Sequence, residues 1–222
     1  MMREIHSEDY HDFVFKDGEL IGEFEQMYRK SREVPWRQDT DPLRLDCRMA
    51  ARFLEPQGPF HSVIEVGCGL GYFAQLLYET LSPQELIGVD VAPTAVAAAK
   101  GRFPHLHFEV LDITQPLGVG PQLEKQFDLV AIRGCFWYLF PQFDVVIDNL
   151  HRLTAPGGVV FVAQNFPPLE SKFVGKDVLP NPSSLIERFQ RKFEIEMTNE
   201  LKDLRPGRKN DHWIMALGRR ND

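Results

Sequence analysis

No run of about 18 apolar residues occurs in the chain, so no membrane-spanning helix is expected. Cysteine is scarce: Cys47, Cys68 and Cys135 are an odd count at irregular spacing. That excludes a disulfide framework and fits a reducing, cytoplasmic setting. The seven histidines show no metal-ligand spacing, so no metal is expected. Positive charge is in deficit, 25 Lys and Arg against 32 Asp and Glu, which argues against a nucleic-acid partner. The first ten residues are polar and acidic, unlike a signal peptide. Repeats and low-complexity tracts are absent too. What is present is 222 residues of 43% hydrophobic sequence, enough for one ordinary globular domain. We expect residues 1–222 to form that single domain, with a helical region at 1–54 leading into and covering a core at 55–222.

Residues 63–77 are the most informative stretch. Mostly apolar residues run into Gly67, Gly69 and Gly71, and an apolar helical pattern follows at once. A buried strand, a turn stripped of side chains and a helix N-terminus make a seat for an anionic or polar ligand. Two carboxylates narrow the ligand. Asp90 ends the next strand, where an acid can accept both hydroxyls of a ribose. Glu65 lies inside the first strand, and a buried acid there needs donors such as a ligand amino group. The redox dinucleotide fingerprint wants a small residue at position 72, whereas the chain has Tyr72 after Gly71. Asp112 beside Ile113 can take the amino edge of an adenine and cover its face.

Strands at 61–66, 86–90, 106–111, 127–132 and 158–163 alternate with helices at 71–81, 93–103 and 141–153. A helix at 182–192 and strands at 193–198 and 212–218 close the chain. Upstream, helices are predicted at 19–30 and from Asp41-Pro42 to Leu54. The alternation predicts an α/β fold, a mostly parallel sheet covered on both faces, with one antiparallel edge.

Glu65-x-Gly67-x-Gly69-x-Gly71, Asp90, Asp112-Ile113, Phe127-Asp128-Leu129-Val130 and Leu153-Thr154-Ala155-Pro156-Gly157-Gly158 occur in a familiar order. Over about residues 42–164 the chain resembles class I S-adenosylmethionine-dependent methyltransferases of the type 11/12 kind. The resemblance implies a Rossmann-like seven-stranded sheet whose last strand is antiparallel. It implies S-adenosylmethionine as cofactor, with the glycine loop at its methionine part, Asp90 and Val91 at the ribose, and Asp112 and Ile113 at the adenine. Arg133 aligns with a residue whose backbone lines the cofactor pocket, and its side chain is expected to reach a substrate anion. Asp41-Pro42-Leu43-Arg44-Leu45 is similar to a segment of ubiquinone-biosynthesis O-methyltransferases whose arginine helps bind the cofactor. That implies Arg44, with Arg48 one turn on as the alternative. Tyr28 and Pro35-Trp36 resemble small-molecule methyltransferases of the nodulation N-methyltransferase type.

The chain departs from the pattern after its fourth strand, where related enzymes often carry a Glu-His or His-His pair. Here Trp137-Tyr138 takes that place. Tyr138 is a poor base at neutral pH but can orient a hydroxyl or amine. Trp36, Phe136, Trp137 and Tyr138, with Phe140 and Phe143, are expected to wall the substrate space, and Phe13 and Phe15 to close over it. His6 or His11 on a lid is a candidate base. Asn165-Phe166-Pro167-Pro168 is read as a loop over the site. The expectation is methyl transfer to a small molecule, oxygen before nitrogen, mainly by positioning. A nicotinamide-dependent oxidoreductase and a cofactor-binding protein without transfer activity are the alternatives.

Overall fold

Val63, Ile64 and Val66 are apolar at neighbouring positions, as are Leu129, Val130, Ala131 and Ile132, so both faces of these strands need cover. The computed structural model, which describes residues 9–117, 125–169, 172–202, 204 and 212–221, supplies it. After the cover segment come α2 (Leu45–Leu54), β3 (Ser62–Val66), α3 (Tyr72–Leu81), β4 (Glu85–Asp90), α4 (Pro93–Arg102) and β5 (His107–Val110). Then follow β6 (Phe127–Arg133), α5 (Phe136–Leu139), α6 (Phe143–Leu153), β7 (Thr154–Phe166), α7 (Pro182–Phe189), β8 (Phe193–Lys202) and β9 (His212–Arg220).

The seven strands stand in the order β5-β4-β3-β6-β7-β9-β8. All neighbours are parallel except β9, which runs antiparallel to both β7 and β8. Ile64, Val130 and Ile132 pack with Val146 and Leu150 of α6 and Leu185 of α7. Val63, Leu129 and Ala131 pack on the other face with Ala50, Leu77 and Val96 of α2, α3 and α4. The strand order reverses at β3, whose neighbours are β4 and β6. Ligands of such sheets bind beyond the carboxyl ends of the strands at that reversal.

Residues 9–44 lie over that end. They comprise a 3-10 turn (Tyr10–Phe13), the two-residue strands β1 (Phe15–Lys16) and β2 (Glu19–Leu20), α1 (Phe24–Lys30) and a kinked 3-10 segment (Pro35–Leu43). The predicted helix at 19–30 thus begins only at Phe24. Asp17 and Gly18 both take positive φ (52° and 82°), so the chain reverses in a tight hairpin first. The helix expected from Asp41 also starts late, because Asp41 turns inward and Arg44 stays extended as the N-cap of α2. The helix expected at 141–153 is divided by a 3-10 turn (Phe140–Gln142) around Pro141.

Among the described residues, no helix is long and apolar enough to cross a membrane. Nor is any cluster of three His, Cys, Asp or Glu there arranged to hold a metal.

Gly71 caps α3 at φ 83°, and a Cβ there would lie 2.8 Å from Cζ of Phe108. Gly71→Ala is expected to cost about 2 kcal/mol through strained backbone and displaced packing. A thermal melt should show a Tm lower by ~4–8 °C.

Candidate functional site

The N–H groups of Gly67 and Cys68 both donate to the carbonyl of Val89, at 2.8 and 2.9 Å. This folds the loop after β3 across the end of β4. The N–H of Gly69 then donates to Oδ2 of Asp90 at 2.8 Å, and that of Ala92 to Oδ1 at 3.0 Å. A cavity of about 530 Å³ opens beside this loop, within the usual range for small-molecule sites.

The three glycines serve different ends. Gly67 lines the cavity, and a Cβ there would lie 2.3 Å from Sγ of Cys135. Gly69 is overlain from the cover: a Cβ would lie 2.4 Å from Oε1 of Gln38 and 2.8 Å from the Tyr28 hydroxyl. Gly71 makes room for Phe108 and Ala99. Of the three, Gly67 is the one that lines the cavity, while the space beside Gly69 and Gly71 is filled by Gln38, Tyr28, Phe108 and Ala99. Gln38, unremarked in the sequence, accepts from the Leu70 N–H at 2.7 Å and donates to the Tyr28 hydroxyl at 2.9 Å. Glu25 of α1 is a second fastening. Its carboxylate accepts from the backbone and hydroxyl of Thr94, at 2.9 and 2.6 Å, at the start of α4.

Glu65, Asp90, Val91, Asp112 and Ile113 all line the cavity. Glu65 is 3% exposed, and its Oε2 has no partner. Burial pushes its pKa up to about 8, aided by Asp41 and Asp90 and opposed by Arg133 and the Ala74 amide. Burial raises Asp90 as well, against the amides of Ala92, Gly69 and Val91. Oδ1 of Asp112 accepts from the N–H and hydroxyl of Thr114 at 2.9 and 2.6 Å. Asn149 of α6 holds this loop by donating to the carbonyls of Ile113 and Gln115, both at 2.8 Å.

Arg44 and Arg133 also line the cavity, while Arg48 is exposed and away from it. Arg44 contacts Asp46 at 3.1 Å and Asp41 at 3.6 Å. Arg133 is bonded to Asp46 and lies 3.6 Å from Asp41, with its guanidinium 4.8 Å from the Trp213 ring. Burial raises Asp41, whereas at Asp46 the same effect is outweighed by Arg133 and Arg44, so its pKa falls. The Arg133 guanidinium is thus held by two aspartates, with its Nε buried and unpartnered.

Tyr10, Phe24, Tyr28 and Trp36 from the cover meet Trp137 and Tyr138 of α5 around the same cavity. Trp36 has φ 51°, rare for any residue but glycine. Trp137 donates from Nε1 to the Asn165 carbonyl at 2.9 Å. Phe136 does not reach the cavity. It is fully buried against Phe143 and Phe189, because the backbone N–H of Phe136 is held by Gln164 Oε1 and the ring turns into the core. Phe143 is likewise in the core, Phe140 packs beside Gly175, and Phe13 is buried within the cover. Phe15 packs on Tyr138 at 5.9 Å rather than closing the cavity itself. Burial pushes the Tyr138 hydroxyl further above its ordinary range. His11 is exposed beside Asp9 and does not line the cavity, and His6 lies outside the described residues. Asn165 lines the cavity from the end of β7, not from a loop, and Phe166 beside it is buried. Tyr10, Gln38, Asp41, Cys135 and Trp213 line it without any signal in local sequence.

Residues 64–160 match a family model described as a methyltransferase domain. Nodulation protein S of Rhizobium tropici is 32% identical over 132 residues, covering 56% of this chain and 52% of that protein. The trans-aconitate 2-methyltransferase of Variovorax paradoxus is 29% identical over 100 residues, covering 45% and 37%. The chain thus spans about half the length of the first relative and less of the second. Among solved structures, the N-methyltransferase NodS of Bradyrhizobium japonicum in complex with S-adenosyl-L-homocysteine has a TM-score of 0.71. Its identity is 20%, over 89% of this chain and 98% of that one, a likeness of fold.

Arg133→Met would leave Asp41 and Asp46 buried with Arg44 as their remaining guanidinium. A loss of about 3 kcal/mol in denaturant unfolding is expected. A change within experimental error would show that the buried pairs do not hold this part of the fold.

Proposed function

We propose that this chain is a class I S-adenosylmethionine-dependent methyltransferase and that it transfers a methyl group to a small-molecule acceptor. The observation that carries the reading is Glu65: a buried carboxyl group with an unpartnered oxygen, in one cavity with Asp90 and Asp112. A buried acid without donors is costly unless a ligand brings them. The ammonium of S-adenosylmethionine is such a donor, so the residues fit the cofactor. When bound, it supplies an electrophilic methyl group on a sulfonium.

The chain's own residues would then divide the work. Glu65 takes the ammonium, and Arg44, half-exposed at the rim, faces the carboxylate. Asp90 already accepts from the Gly69 and Ala92 N–H groups, with the Val91 amide also turned to it, yet a carboxylate has about four acceptor sites. What remains is for the ribose hydroxyls, with Val91 alongside. Asp112 and Ile113 take the adenine edge and face. Residues 9–44 lie over the cavity and exclude water from the transfer. Trp36, Trp137 and Tyr138 bound the acceptor, a nucleophilic nitrogen or oxygen of a small molecule. Catalysis is then positioning and desolvation.

Titration with S-adenosylhomocysteine in a calorimeter should give saturable heat, and none at millimolar ligand would overturn the reading. Asp90→Asn should weaken that binding about tenfold. At pH 7 the raised pKa of Glu65 keeps it protonated, and a ligand ammonium beside it drives the proton off. Binding should therefore release close to one proton, seen as a dependence of the heat on buffer ionisation enthalpy, and Glu65→Gln should abolish that dependence.

A further inference from the structure

We propose that the aromatic wall of the cavity is a box for an amine, and that it rejects carboxylate acceptors. This rests on the reading that Glu65, Asp90 and Asp112 hold the methyl donor.

The rings form a connected set. Trp36 lies 5.5 Å from Tyr10, 6.4 Å from Tyr28 and 5.4 Å from Tyr138, and Phe24 lies 5.5 Å from Tyr138. All five line the cavity. Ring faces carry negative potential and attract a cation within about 6 Å of a centroid. Trp36, at the hub, keeps a left-handed backbone, a strain that persists only where the surroundings over-determine it and that clusters at ligand sites.

Charge points the same way. The acids lining the cavity are Asp41, Glu65, Asp90 and Asp112, and the bases are Arg44 and Arg133. Arg133 is paired with Asp46 and Asp41, and Arg44, beside the same two aspartates, is the cation assigned to the donor's carboxylate. No lysine or histidine is among the described lining residues. An acceptor carboxylate would be stripped of water and meet no uncommitted cation.

Reaction chemistry agrees. An alcohol needs help to lose its proton, and Tyr138, the titratable group of α5 in the cavity, is pushed away from that role by burial. An amine sheds its ammonium proton to bulk water before it enters the cavity, and the neutral form that reacts needs no base there. Its nitrogen lone pair forms the new C–N bond while the C–S electron pair leaves with sulfur. Nitrogen takes the positive charge, and its proton passes to water afterwards. Positive charge grows on nitrogen in the transition state, where ring faces stabilise it most.

Three probes of nearly one shape separate the possibilities: choline, its uncharged isostere 3,3-dimethylbutan-1-ol, and the anion 3,3-dimethylbutanoate. Each would be titrated by calorimetry into the protein with and without saturating S-adenosylhomocysteine. Choline should bind about fivefold or more tighter than the alcohol, and the anion weakest of the three. Trp36→Leu should erase the preference for choline while S-adenosylhomocysteine affinity stays within about threefold; Tyr138→Leu serves the same end if the first variant fails to fold. Equal affinity for choline and the alcohol overturns the proposal, as does tightest binding of the anion or a preference that survives both substitutions. Failure of S-adenosylhomocysteine to bind would instead sink the donor reading, and the probe order without it would still judge the box.

Discussion

A single carbonyl oxygen, that of Val89, receives the N–H groups of Gly67 and Cys68 and so fixes the path of the chain between β3 and α3. From that pin the rest of the site follows. The loop crosses the end of β4, which lets Asp90 accept from Gly69 while Glu65 stays behind it in the strand. Left-handed φ at Gly67, Gly69 and Gly71 is what makes so short a crossing possible. The seats for a polar ligand are thus built by backbone geometry first and by side-chain choice second.

The cover completes what the loop begins. Gln38 reaches over Gly69 to the Leu70 N–H, and Glu25 closes on Thr94. One wall of the cavity is therefore carboxylate and amide, from strand ends, and the other is aromatic, from residues 10–36 and α5. The two arginines between them are neutralised by aspartates of the kinked segment and α2. Burying such pairs contributes little net stability, but losing one partner leaves a charge without relief.

The strand and helix order was legible because each element carries its own periodicity, down to the antiparallel final strand. That Asp90, Glu65, Asp112 and Ile113 gather at one cavity was legible because their places are set by short offsets from strand ends. What escaped was set by partners far along the chain. Asp46 meets Arg133 across 87 positions, and Gln38 meets Leu70 across 32. Trp213 enters the cavity from β9, and nothing near it in sequence marks that role. Phe136 was misplaced for the same reason: one hydrogen bond from its N–H to Gln164 turns its ring inward. The helix at 19–30 was overcounted because Asp17-Gly18 is turn chemistry and outweighs apolar spacing.

Among the described residues, the cover's polar ties to the layer beneath include two from Thr94 to Glu25, one from Leu70 to Gln38 and the pair of Asp41 with Arg133. Hydrogen bonds of this kind have a net worth of about 1–3 kcal/mol each. The seven-stranded sheet, by contrast, is sealed by two apolar layers. An outer layer tied at separate points comes away at lower cost than the sheet it covers, so admitting a ligand need not cost the fold.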